Sequence, residues 1–158
     1  MSAVPEPSAH NHWLVDQAAR IIASYHYWTG QHLVDPALDP AAAASALYRA
    51  PFVVLAHDAA ADPVFTYANL TAQRLFERPW REIIGLPSRY SAEPLAREER
   101  ARLLDQVARQ GYTDNYSGVR VTASGRRFRV HRAIVWNLIE ADGTLCGQAA
   151  SFADWEWL

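Results

Sequence analysis

The sequence holds a single cysteine, Cys146, so no internal disulfide can form and no second thiol is present for a redox pair or a thiolate metal cluster. That scarcity fits a reducing cytoplasm. Lysine is missing altogether, and the fifteen basic residues, all arginine, stand against seventeen acidic ones for a net charge of -2. Such a balance exerts no general pull on phosphates, which argues against a sequence-independent grip on nucleic acid. No apolar run approaches the roughly eighteen residues of a membrane span. The first ten residues lack a basic head followed by an apolar stretch, so neither a membrane nor a secretory route is expected, and a cytoplasmic location is. Also missing are a Gly-rich phosphate loop and a Gly-x-Ser-x-Gly elbow. The histidines His10, His12, His26, His32, His57 and His131 show no metal-ligand spacing backed by a carboxylate or thiol. Asp114 and Glu93 could form a carboxylate pair only if the fold brought them together. No metal site, no catalytic residue and no enzyme are expected.

What is present is a globular composition: 158 residues, half of them apolar and 11% aromatic, with 20% charged. That suits one domain with a helical extension, residues 1–50 forming the tail and extension and 51–158 the domain. Asn11 can cap a helix over 12–29 whose Leu14, Ala18, Ile21, Tyr25 and Trp28 make one apolar face. This stripe either covers the chain's own core or pairs with a second subunit. Gly30 ends it, and a short Ala-rich helix over 40–48 follows two Asp-Pro turns. Two apolar runs, 52–55 and 64–68, read as a hairpin, after which Asn69 is placed to cap a helix over 70–76. A further turn spans 80–84. The Pro-containing segment 86–94 is too polar for regular structure, and the helix over 95–110 buries Leu103, Leu104 and Val107. Beyond Gly111 the period changes from 3.6 to 2 in three runs separated by turns at Ser124-Gly125 and Asp142-Gly143. In the middle run Phe128, Val130, Ile134, Trp136 and Leu138 are expected on one face, with Arg127, Arg129, His131 and Asn137 on a wetter one. The sum is an α+β fold in which helices cover one face of a five-stranded antiparallel sheet, plus the N-terminal amphipathic helix.

The order of these elements, with Tyr67-Ala68-Asn69 leading into Ala72 and Leu75, and Ile83-Ile84-Gly85-Leu86 closing the next turn, resembles the PAS fold. A closer resemblance lies in five ordered blocks: Leu86 to Pro94, Asp114 to Arg120, Ser124 to Phe128, Val135 to Leu138, and Gly147 to Ala150. These are similar to the MEKHLA domain, found at the C-terminus of plant class III homeodomain-leucine zipper proteins and as stand-alone bacterial or algal proteins. The resemblance runs over about Pro51 to Trp155 and implies a PAS-like sensory or regulatory module that binds a small molecule, dimerises or meets a partner. It carries no DNA binding over, since the sequence has neither homeodomain nor zipper. A ligand-free interaction module is the alternative, and a small isomerase or hydrolase on an α+β cone is a third reading.

A PAS-like fold would place a ligand cavity between the sheet and the short helices. Arg89, Asn115, Arg120 and Arg129 are then the groups to fix a carboxylate or phosphate, because guanidinium forks offer paired donors. Tyr116, Phe128 and Trp136 would supply aromatic walls, and Asn69, Asn137 and Gln148 could read an amide or ring edge. The ligand set expected is Arg89, Asn115, Tyr116, Arg120, Trp136, Asn137 and Gln148, centred where the 86–94 loop meets the strands. A dimer, if formed, would use Leu14, Ala18, Ile21, Tyr25 and Trp28. No cofactor can be named. A flavin–cysteinyl adduct is disfavoured because 70–76 contains no cysteine, and His57 as a haem ligand is weaker than His57 as a structural residue.

Overall fold

A computed structural model describes residues 4–158, apart from the side chains of Pro94 and Leu95. The chain enters as a 3-10 helix, Ala9–Leu14, capped at Ser8 rather than at Asn11. Asn11 instead returns its side chain to the Ser8 N–H at 2.9 Å. Positive φ values at His12, Trp13 and Leu14 kink the chain, so α1 runs only over Val15–Thr29, and Gly30 closes it in the left-handed conformation. Helix α2 (Pro40–Tyr48) is capped by Asp39, whose carboxylate accepts from the Ala42 N–H at 2.8 Å. The expected hairpin forms as β1 (Val53–Asp58) and β2 (Phe65–Ala68). Helices α3 (Leu70–Phe76), α4 (Trp80–Ile83) and α5 (Pro94–Gln110) follow. The chain then runs through β3 (Tyr112–Val121), β4 (Arg127–Ile139), β5 (Leu145–Phe152) and β6 (Asp154–Trp157).

Five strands lie in the order β2-β1-β5-β4-β3, every pair antiparallel. The sixth, β6, extends β5's side of the sheet along the first half of β4. Among the described residues no helix is long and apolar enough to cross a membrane.

Two bulges decide which side chains face where. In β3 the pairing slips at Asn115, and in β4 at Arg132, both at positive φ. An extra residue reverses the alternation beyond it. Phe128 and Val130 therefore share a face with Ala133 and Val135, whereas Ile134, Trp136 and Leu138 point the other way. The single apolar face expected for Phe128 through Leu138 is thus corrected to two, and of the residues expected on the wetter side Asn137 is buried while Arg127, Arg129 and His131 stay at the surface, ion-paired with Glu93 and Glu156.

One face packs on α1 and α2. Ala18, Ile21 and Tyr25 are buried against the sheet, with Leu14 and Trp28 at the edge of the same cluster. Tyr25 meets Trp136 edge-on at 5.0 Å between ring centroids. The Trp28 indole passes over Gly111, where any Cβ would collide with it, and donates to the Asn137 carbonyl at 2.9 Å. The helical stripe is therefore covered by its own chain, and helices and sheet share one core across residue 50. The other face carries α3 and α5 over Val53, Leu55, Phe128, Val130, Ala133 and Phe152.

Asn69 ties the two sides together. Its Oδ1 accepts from the N–H groups of Ala72 and Val54, both at 3.1 Å, and its Nδ2 donates to the carbonyls of Leu47 and Phe52. This one fully buried amide caps α3 and anchors the end of α2 to the start of β1.

Candidate functional site

Alternation along β1, β5 and β4 sets His57, Gln148 and Asn137 side by side in one cross-strand row facing α5, since His57 pairs with Gln148 and Gln148 with Asn137. On an otherwise apolar face these polar groups need partners. Asn137 spends its amide fully, donating to the Val107 and Ala108 carbonyls in the last turns of α5 and accepting from Gln148 Nε2 at 3.1 Å. Gln148 Nε2 also donates to the Leu104 carbonyl at 2.8 Å. The row thus holds α5 at a fixed distance from the sheet.

Between that helix and the sheet lies a cavity of about 60 Å³. Leu55, Leu103, Val130, Ala133, Val135 and Phe152 make its apolar walls, and its polar lining comes from His57, Ser91, Arg100, Tyr116, Arg120 and Gln148. Among the described residues no acidic side chain lines it.

Arg100 is the unexpected member. It is only 8% exposed, and its Nη2 donates to the hydroxyl of the fully buried Ser88 at 2.7 Å. Arg120 reaches the cavity from β3, donating to the Val119 carbonyl at 2.9 Å and to the Tyr116 hydroxyl at 3.2 Å. Gly118 makes that last bond possible: the Tyr116 ring leans forward along the strand into the space a Cβ would fill. Neither Arg100 nor Arg120 has an ion-pair partner among the described residues, although nine other pairs form on the surface. Burial, reinforced by the charge of Arg120, pushes the Arg100 pKa down to about 10, so it remains a cation at neutral pH.

His57 is 7% exposed. Its Nδ1 lies 2.8 Å from the Asp58 carbonyl, which can only accept, so Nδ1 carries the proton and Nε2 is left as an acceptor. Burial holds its pKa below the ordinary histidine value, and the ring is neutral. Among the described residues Nε2 is buried without a partner, as are Tyr67 Oη and Trp136 Nε1 elsewhere in the fold.

Of the residues expected to bind ligand, Tyr116, Arg120 and Gln148 line this cavity, and the others do not. Arg89 is ion-paired with Asp62 and stacked on Tyr90, on the surface. Asn115 is exposed because it is the bulge residue of β3. Trp136 lies on the opposite face, against Tyr25, and Asn137 is consumed in holding α5. The 86–94 segment, expected to lack regular structure, forms a 3-10 helix over Ser88–Ser91 and contributes Ser91 to the wall and Ser88 as the support of Arg100. Cys146 lies on β5 outside the lining, its thiol directed to the Leu138 carbonyl. Sequence reasoning passed over Arg100 and set His57 aside. The signal for Arg100 was its spacing, since it falls three, four and seven residues before Leu103, Leu104 and Val107, on the stripe that α5 buries.

Solved structures share this architecture at low identity. The PAS domain of a protein from Colwellia psychrerythraea matches with a TM-score of 0.59 at 13% identity, over 68% of this chain and 90% of that one. An RNA-binding light-oxygen-voltage receptor matches at 0.62 and 20% identity, over 77% of this chain and 34% of that one. A light-oxygen-voltage domain studied with a flavin analogue matches at 0.59 and 15% identity, over 74% and 84%. At these identities the likeness is one of fold. No curated protein matches. The model of the MEKHLA domain matches residues 15–157, which takes in α1 and α2 as well as the sheet, and the chain belongs to the MEKHLA family with a PAS-like fold.

Proposed function

We propose that this chain is a PAS-like regulatory module that binds a small molecule between α5 and the sheet and converts occupancy into altered contact with a second copy or another protein. The observation that carries the reading is His57, whose buried Nε2 has no partner although the ring lines a cavity of about 60 Å³. Buried acceptors are rarely left bare in folded proteins, and an apolar pocket with a few convergent polar groups is the usual form of a small-molecule site. Helix α5 supports the second half of the reading. Its inner side, through Arg100, Leu103 and Leu104, lines the cavity, while its outer side presents Arg102, Asp105 and Arg109 to solvent. A displacement of the helix by ligand would therefore alter an exposed charged surface. The reading assigns no catalytic residue.

Native mass spectrometry of the freshly purified full chain, paired with thermal shift across a metabolite and cofactor library, tests it. A retained molecule, or a saturable rise in Tm, is the expected result. A chain that carries nothing and is stabilised by nothing would overturn the reading.

A further inference from the structure

Resting on the cavity as a ligand site, we propose that its ligand is a small carboxylate with a short apolar body, held through its oxygens by the guanidinium groups of Arg100 and Arg120. A buried charge without a counter-charge is costly, and folded proteins pair such groups. Here the partners of Arg100 and Arg120 among the described residues are a serine hydroxyl, a carbonyl and a tyrosine hydroxyl, none of them an anion. Two cations line one cavity, and among the described residues no acid stands beside them. One anion shared between them offsets the desolvation cost and screens their mutual repulsion. Each guanidinium has five N–H donors in a planar fork. Arg100 uses one of its donors on Ser88 and Arg120 two on Val119 and Tyr116, so both keep donors for a two-oxygen acceptor.

The rest of the lining selects among anions. His57 Nε2 is an acceptor, which repels a third anionic oxygen and receives a hydroxyl or a water instead. Leu55, Leu103, Val135 and Phe152 give the remaining contact to carbon, so inorganic phosphate suits the site poorly. At about 60 Å³ the space is well below the ~150 Å³ of a cavity that accepts benzene, which limits the body to a few carbons.

The test is titration calorimetry and thermal shift on the full chain with acetate, butyrate, isovalerate and hexanoate. Butyramide, isovaleramide and inorganic phosphate serve as controls, all at matched chloride. At least one acid should bind saturably, with its amide about ten- to a hundred-fold weaker, as expected for the loss of a charged hydrogen bond. Arg100→Met should weaken the acid by a similar factor while raising the Tm of the unliganded chain, because it removes an unpaired buried charge. Arg89→Ala, outside the cavity, should leave affinity unchanged. If Arg100→Met does not fold, Arg120→Met, on the half-buried side of the site, carries the same expectation. Amides binding as well as acids, undiminished binding by both Arg variants, or binding of phosphate alone overturns the carboxylate assignment and leaves the cavity standing as a ligand site. Binding by none of these compounds overturns it as well, and the retained-molecule and library measurements then decide on the cavity separately.

Discussion

The two faces of the sheet are built from the same strands and finished differently. Against α1, large side chains interlock: Trp136, Tyr25, Tyr67, Tyr48 and Trp80 meet edge-on at centroid distances from 5.0 to 6.5 Å, with Ile21 and Leu47 between them. Against α5, the sheet offers Ala133, Ala150 and Val135, with a polar row beside them, and space remains. An edge-packed aromatic face is a poor place for a ligand, because any guest must displace well-made contacts. A face lined by small residues under a helix held off by side-chain amides leaves room for a guest. The contrast separates a face that supplies stability from one that keeps space in reserve.

Truncation should break this contrast most visibly. Trp136→Ala on the α1 face is expected to cost about 4 kcal/mol in urea unfolding, whereas Leu103→Ala, half-buried beside existing space, should cost about 1 kcal/mol. Similar losses for both would mean that the two faces are equally packed. Next, Asn69→Ala opens the seam between the faces by leaving buried groups of β1, α2 and α3 unpaired, for a loss of roughly 3 kcal/mol. Enlargement should invert the order. Ala18→Leu overpacks the α1 face at a cost of about 1–3 kcal/mol. Ala150→Val enters the cavity, so its effect should stay within about 1 kcal/mol of neutral while ligand binding is lost. A large loss from Ala150→Val would show that no usable space is there.

The smallest effect concerns acid. The folded-state pKa of His57 is depressed, so the unfolded chain binds its proton first as pH falls. The stability from this group is complete above the ordinary histidine pKa of about 6.5 and is lost as pH drops through the lower folded value. Arg100 opposes protonation of the ring, while the Asp58 carbonyl and carboxylate favour it. His57→Gln should flatten the fall in Tm between pH 6.5 and 5, which thermal melts at closely spaced pH values would measure. An unchanged slope would place the titrating group elsewhere.

The fold was legible because period and punctuation agreed: the 3.6-residue spacing of α1 and α5, the Asn69 cap and the glycine turns all appear where the sequence puts them. What escaped was parity. In unbroken alternation Arg132 would sit in the apolar row with Val130 and Ile134, a conflict that only a bulge resolves. Without that bulge Trp136 reads as a wall of the cavity and Ala133 does not, which is why Trp136, alone of the three expected aromatic walls, lies on the opposite face. Arg120, Tyr116 and Gln148 were legible as polar residues on strands, but Arg100 hid in a helix rich in arginine and glutamate. Only its position on the buried stripe distinguished it from its exposed neighbours.

Asn137 occupies a position whose mechanical meaning goes beyond the bonds it makes. Its side chain grips the end of α5, its N–H donates to the carbonyl of Gly111 just past that helix, and its own carbonyl holds the Trp28 indole on the far side of the sheet. One residue therefore acts as a rivet through the sheet. A tilt of α5 on one side would therefore bear on the same residue that holds Trp28 of α1 on the other.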